Sequence, residues 1–434
     1  MNDAIDGGAV SASSQTDATR RSLGAWMTAL ALTPSALAIA AEANAQTRGR
    51  SDEDLTHDED YWASIARAFN LDGRYIVLNG GGNNPLPVTV VNALNRFDQM
   101  AASQPRPHNS GFVARTDDMR ERLAPYFGCG ADELALTRNT TEGLNIVCWG
   151  LDLAPGDEIV FSNFDNHYAG QVLRHRAQRH GVVLRQVDVP LAPSQAQVIE
   201  AFTAAMTAKT KLVVASHLVD GWGFVLPIRG LSDLAHRNGA LMLADGALSF
   251  GHIPINVRQL GCDFYATSLH KWLTAPLGTG ALYVRKDNIG SVWPLYGVDT
   301  PADDIRKFEQ IGTRSGPTIA AIGHAIDFYE QIGPARKLAR MKYLLNHAIG
   351  LLSGTPRVRV ITERDPGLRT GLARVSVEGM SGAALMNGLR DGFDIYTFGG
   401  FSDAPDGVYI CPNVFNSRAQ IDRFAAAIIA IAST

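Results

Sequence analysis

The sequence predicts an α/β protein, in which a mainly parallel sheet carries helices on both faces and a smaller lobe comes after it. Two observations carry this reading. Short apolar, strand-like runs alternate with helical stretches of roughly 10 to 15 residues, the pattern of strand–helix–strand units. From Ala320 a long helical pattern runs to about residue 353, and a separate set of short strands and helices lies beyond it.

Taken in order, a charged connector from Arg48 to Glu59 leads to "RYIVLNGGGNNPLP" at 74–87, a short strand ending in a Gly/Asn/Pro turn. "ELALT" precedes a helix opening at Thr140 and Thr141, and "DEIVFSN" precedes a helical segment over 167–180. The runs "GVVLRQVDV", "KLVVASH", "ALMLADG", "CDFYATS" and "GALYV" come next. In such a sheet ligands sit at the carboxyl ends of the strands, where loops meet helix N-termini. The chemically capable residues fall at those ends.

Composition narrows the function. With 46% hydrophobic and 19% charged residues, 434 residues describe an ordinary globular chain large enough for one catalytic subunit with two lobes. The formal net charge of -4 provides no field to recruit nucleic acid or an anionic membrane, so a small-molecule partner is the default. Cys129, Cys148, Cys262 and Cys411 form no CxxC pair, and no His-rich spacing suggests a zinc site. They are expected as buried free thiols, with disulfides open if the protein is exported.

The first 45 residues have the three parts of a secretory signal. Arg20 and Arg21 precede an apolar stretch from Ala25 to Ala41, which ends in the small-residue site Ala43-Asn44-Ala45, ahead of Gln46. The adjacent arginines resemble a twin-arginine signal, with Gly24 a mild departure from its pattern. A periplasmic or secreted enzyme, exported already folded by the twin-arginine machinery, is therefore expected. Pro34 and the Ala-rich middle make a poor spanning helix, which argues against a stable membrane anchor.

Three stretches carry the chemistry. "YATSLHKWL" places Lys271 on a short loop after a strand, where an amine can form an imine, although alone it could be a solvated surface lysine. "LMLADGALSFGHIPI" ends an apolar strand on Asp245, where a carboxylate can pair with a protonated pyridine nitrogen; a structural Asp-Gly turn is the alternative. "LTRNTTEGLN" puts Thr140 and Thr141 at a helix N-terminus, a ready phosphate site or a simple cap.

Together, in this order and spacing, the three stretches resemble the class V aminotransferase superfamily over roughly residues 75 to 430. The resemblance implies a pyridoxal 5′-phosphate (PLP)-dependent transferase of fold type I: a large domain with a mainly parallel seven-stranded sheet and a smaller α+β C-terminal domain. With the signal read above at 1–45 and a connector at 46–75, the resemblance implies a large PLP-binding domain at 76–325 and a small domain at 326–434. Lys271 matches the Schiff-base lysine, Ser268 and His270 the phosphate ligands, Asp245 the pyridine-nitrogen partner, and Thr140 with Thr141 the phosphate loop. Thr313, in "FEQIGTRSGP", would reach the phosphate of a neighbouring subunit, which implies a homodimer with shared sites. For the ring-stacking position a strict register gives Asn166, with His167 next to it as a catalytic candidate. His217 matches a frequent family histidine, and Asp220 falls where desulfurases place an asparagine near the ring oxygen, so the resemblance implies that both bind the cofactor.

Departures from the family pattern limit the substrate. In "VYICPNVFN" Tyr409 stands where the family's carboxylate-gripping arginine belongs. Either Arg314 substitutes for it, or the substrate carboxylate is absent or blocked, as in a peptide. No cysteine lies between Cys262 and Cys411, so the nucleophile of sulfur abstraction is missing, and Leu248 replaces a residue that contacts the ring hydroxyl.

The expected activity is transaminase-type chemistry on an amino-acid-like or peptidyl amine, such as a siderophore precursor. Epimerisation or β-elimination, in the manner of isopenicillin N epimerase-like proteins, is the second reading. A non-catalytic PLP-fold binding protein is the third; it would bind the cofactor yet react with no amine. A dinucleotide-binding dehydrogenase fits worst, because "NGGGNNP" lacks the GxGxxG spacing.

Overall fold

A computed structural model describes residues 35–363, 365, 367–399 and 407–433. Its centre is a seven-stranded sheet of β2 (Leu134–Thr137), β3 (Glu158–Ser162), β4 (Val183–Val187), β5 (Thr210–Ser216), β6 (Leu241–Asp245), β7 (Phe264–Ser268) and β8 (Gly280–Val284). The order across the sheet is β2-β8-β7-β6-β5-β3-β4, and β8 alone runs antiparallel to its neighbours.

Side chains alternate between two cores, as the period of two along a strand requires. Leu212, Val214, Leu243, Phe264 and Ala266 enter the core under the helices Thr140–Gly150 and His167–His180. Val213, Ala215, Met242, Ala244 and Tyr265 enter the opposite core, under Thr116–Phe127, Gln195–Ala205, Ile228–Arg237 and Gly316–Ile332. Burying each large apolar side chain contributes about 2 kcal/mol, so polar groups are left to the strand ends. The alternation then sets direction: Asp245 shares the face of Leu243, and Ser268 that of Ala266. Both face the helix Thr140–Gly150.

The long helix expected from Ala320 is two helices, Gly316–Ile332 and Pro334–Leu352. Gly333, at φ +87, ends the first, and Pro334 opens the second. The smaller lobe holds the antiparallel sheet β12-β10-β9, formed by β9 (Val358–Ile361), β10 (Ala373–Val377) and β12 (Val408–Ile410). Helices Pro334–Leu352, Gly382–Phe393 and Arg418–Ala432 cover it. The first strand, β1 (Ile76–Val77), pairs in parallel with β11 (Ile395–Tyr396), and Ile76 and Leu78 join the small-lobe core. The segment at the start of the expected large domain is thus recruited by the small lobe.

Residues 1–34 of the expected leader lie outside the described residues. Its last part belongs to the helix Ala36–Gln46, whose Ala36, Ile39, Ala40 and Ala43 pack with Tyr61, Ile65, Phe328 and Ile332. Asn44, inside the expected cut site, donates to the Gln331 carbonyl at 2.7 Å and accepts from Tyr61 and Arg336. The four cysteines are free thiols. Among the described residues no helix is long and apolar enough to cross a membrane, and no cluster could hold a metal ion.

Candidate active site

Lys271 lies three residues beyond the end of β7, and neighbouring groups pin its backbone. Asn84 Nδ2 donates to the Lys271 carbonyl at 2.9 Å and to the Gly80 carbonyl at 2.8 Å, while Asn84 Oδ1 accepts from Asn413 at 3.0 Å. Lys337 Nζ donates to the carbonyl of Trp272, the next residue. With its main chain fixed on both sides, the Lys271 side chain enters a cavity of about 970 Å³.

Asp245 lines the same cavity and is buried, 4% exposed. Burial pushes its carboxyl above the ordinary range, while the Ala247 N–H, at 2.9 Å, and the Lys271 charge pull it down. A positively charged ring nitrogen facing this carboxylate would offset the burial further.

The same cavity holds an anion cradle. Thr140 opens the helix Thr140–Gly150, whose capping residue Asn139 accepts from the Glu142 N–H at 2.9 Å. Ser268 Oγ accepts from the Thr140 N–H at 3.1 Å and lies 2.8 Å from the Thr140 hydroxyl. Thr141 and His270 complete the wall; His270 Nδ1 donates to the Thr279 carbonyl at 2.9 Å, which fixes its ring, and burial lowers its pKa. Gly280 makes the approach possible, since a Cβ there would lie 2.7 Å from both Asn139 Cα and the Thr267 carbonyl oxygen. A helix N-terminus lined with hydroxyls is suited to a phosphate.

On a third side, Asp220 Oδ2 accepts from Asn166 at 2.9 Å, and its Oδ1 accepts from the Tyr409 hydroxyl at 3.1 Å. The cavity therefore brings together Lys271, Asp245, Thr140, Thr141, Ser268, His270, Asn166, Asp220 and Tyr409 from the sequence reading.

Four anticipated residues do not line it. His167 begins the helix capped by Asn166, and its Nε2 lies 2.7 Å from Gln171, so Asn166 rather than His167 reaches the cavity. His217 continues the alternation of β5 onto the face of Ala215, away from Asp245. There its Nδ1 meets the Tyr265 hydroxyl at 3.0 Å, and burial pushes its pKa down to about 4. Thr313 and Arg314 line a separate cavity of about 350 Å³. Within this chain Arg314 donates to Thr116 at 3.0 Å and lies 3.7 Å from Glu309, too engaged to grip a carboxylate beside Lys271.

The sequence reading missed Asn84 and Asn413, which hold the lysine loop; "NGGGNNP" signalled only a turn. It also missed Tyr168, Leu295 and Tyr296, exposed side chains that line the cavity. Lone surface aromatics carry no motif, so only the assembled fold reveals them.

Comparison with known proteins agrees with this geometry. The family model described as Aminotransferase class-V matches residues 76–403. The chain is 33% identical over 392 residues to an isopenicillin N epimerase of Amycolatopsis lactamdurans, covering 85% of this chain and 98% of that protein. It is 31% identical over 294 residues to a probable cysteine desulfurase of Mycolicibacterium paratuberculosis, covering 63% of this chain and 42% of that one. A solved structure of a C-DES mutant, with glycine covalently linked to its PLP cofactor, superposes with a TM-score of 0.76. The superposition is at 24% identity and covers 82% of this chain and 97% of that one, a likeness of fold. An amine, a buried carboxylate and a phosphate cradle in one cavity are the donor set that PLP needs, and the chain belongs to the class V aminotransferase family of PLP-dependent enzymes.

Proposed function

We propose that the protein acts on the amino group of an amino-acid-like or peptidyl substrate by moving a proton at the carbon that bears it, with a transaminase-type outcome. The observation that carries this is the convergence of Lys271, Asp245 and the Thr140–Ser268 cradle on one cavity. PLP, when bound, supplies an aldehyde and an electron-withdrawing ring.

The chain supplies the rest. Thr140, Thr141 and Ser268 would hold the phosphate, His270 would join them once the phosphate charge draws a second proton onto its ring, and Asp245 would keep a proton on the ring nitrogen. Lys271 would take and return the substrate proton as general base and acid. Asn84 and Lys337, by fixing the carbonyls of residues 271 and 272, limit the arc through which that amine swings. Sulfur relay has no support: Cys411 is buried, and burial pushes its thiol pKa up.

Epimerisation is the second reading, favoured by the 33% identity to an isopenicillin N epimerase. Incubating the holoenzyme with amines in heavy water separates the two. A keto product supports transamination, deuterium at the substrate carbon without keto product supports epimerisation, and neither, with any amine, defeats both.

We also infer export and a homodimer. The Arg20–Arg21 leader pattern supports transport of the folded protein to the periplasm, where a peptide such as a siderophore precursor would be available. The site carrying Thr313 lies beside Leu277, which is 60% exposed, and that exposure suits a partner subunit. Cell fractionation and the mass of the native protein test both.

A further inference from the structure

The cavity wall on the side of Asp220 is built around an acid, at the place where the family pattern calls for a cation. Tyr409 and Asn166 each donate to one oxygen of Asp220, at 3.1 Å and 2.9 Å. A carboxylate has about four lone-pair sites, so this pairing orients Asp220 without saturating it. The loop is shaped for the contact: Gly221, at φ +74, would place a Cβ 2.6 Å from the Tyr409 ring.

The cations near this wall are committed elsewhere. Arg374 is the register partner of Tyr409 across β10 and β12, yet it is 1% exposed. Its guanidinium lies 5.2 Å from the Trp222 ring centre and 5.7 Å from that of Tyr409, and it donates to the carbonyls of Gly399 and Gly407. Arg138 pairs with Glu142 through two N–H groups, at 2.8 Å and 3.1 Å, and Arg314 pairs with Thr116 and Glu309. A free α-carboxylate placed here would meet another carboxylate instead of a bidentate arginine.

We propose that the Asp220–Tyr409–Asn166 wall selects substrates in which the group beside the reacting amine is an N–H donor, a carboxamide or a second amine, and selects against a free α-carboxylate. This rests on the function proposed above and specifies its substrate class. Asp220 accepts the N–H, and Tyr409 fills the volume and the charge position of the missing arginine.

Three size-matched amines test it: L-alaninamide, 1,2-diaminopropane and L-alanine. Each is mixed with the PLP-loaded enzyme, and the apparent second-order rate of change of the cofactor's visible absorbance is measured. At least one of the amide and the diamine should react about tenfold or more faster than alanine, one hydrogen bond to a charged group setting that scale. Which of them leads assigns carboxamide or amine. Asp220→Asn should erase the preference, and Asp220→Asn with Tyr409→Arg should turn it toward alanine. Calorimetric binding of the three compounds to PLP-loaded Lys271→Ala protein, which cannot turn over, should follow the wild-type order.

Alanine reacting as fast as or faster than both others in the wild type overturns the proposal while leaving the amine chemistry intact. A preference that survives Asp220→Asn also overturns it. Silence with all three amines, with the cofactor bound, defeats the proposed function and this inference together.

Discussion

Two lysines converge on the same stretch of backbone, and their contrast shows what makes an amine reactive here. Lys337 is 3% exposed, and burial pushes its amine down to about 7. It faces the Trp272 carbonyl and the rings of Trp272 and Tyr329, at 5.9 Å and 5.3 Å, with no acidic partner among the described residues. Lys271 is only half-buried, yet it opens into the cavity that holds Asp245 and the anion cradle. A depressed amine by itself would nominate Lys337 as the nucleophile. Placement nominates Lys271, and Lys337 becomes a buried donor that steadies its neighbour.

Substitution sharpens the contrast. Lys271→Ala should lower turnover about 10³-fold or more, since one residue supplies both the covalent anchor and the proton transfer. Lys337→Met should lower turnover less than about tenfold, the scale of a lost positioning hydrogen bond. Comparable losses in steady-state assays would erase the distinction. Asp245→Asn should cost about 10²-fold in turnover, because an amide cannot hold the ring nitrogen protonated; activity within threefold of wild type would remove its assigned role.

The pH dependence of stability tests the burial of Lys337. The folded-state pKa of Lys337 lies below its unfolded value, so between the two values the unfolded chain binds a proton that the native chain does not. Stability should therefore rise with pH across that interval and fall toward neutrality. The gain is about 1.4 kcal/mol per unit, or about 2 kcal/mol between pH 8 and 9.5. Unfolding free energies from urea titrations of wild type and Lys337→Met, compared across that range, should differ in pH slope by this amount; parallel profiles would mean the amine is solvated. At the cradle, Ser268→Ala should weaken PLP binding about tenfold by removing the hydroxyl that meets Thr140. Equilibrium dialysis against free PLP checks it.

The legible parts of this molecule are those governed by short-range rules. Apolar runs in "KLVVASH" and "ALMLADG" foretell β5 and β6, and the polar residue closing each run marks a strand end. Lys271, Asp245 and Thr140 were readable because strand, turn and helix start lie within a few residues of each. What could not be read required alternation or distant partners. His217 and Asp245 both sit at strand ends, yet the period of two sends them to opposite faces. Asn84 reaches Lys271 across 187 positions of sequence, and Arg374 reaches Gly407 across 33, contacts that no local pattern encodes. The break at Gly333 was visible as Gly-Pro, but the apolar periodicity continues on both sides and hides it.

The most direct test is to load the protein with PLP, reduce it with borohydride, digest it and locate the label by mass spectrometry. The account predicts phosphopyridoxyl on Lys271 at one equivalent per chain. Label on Lys337 or on any other lysine, or none on a protein that retains PLP, would contradict it.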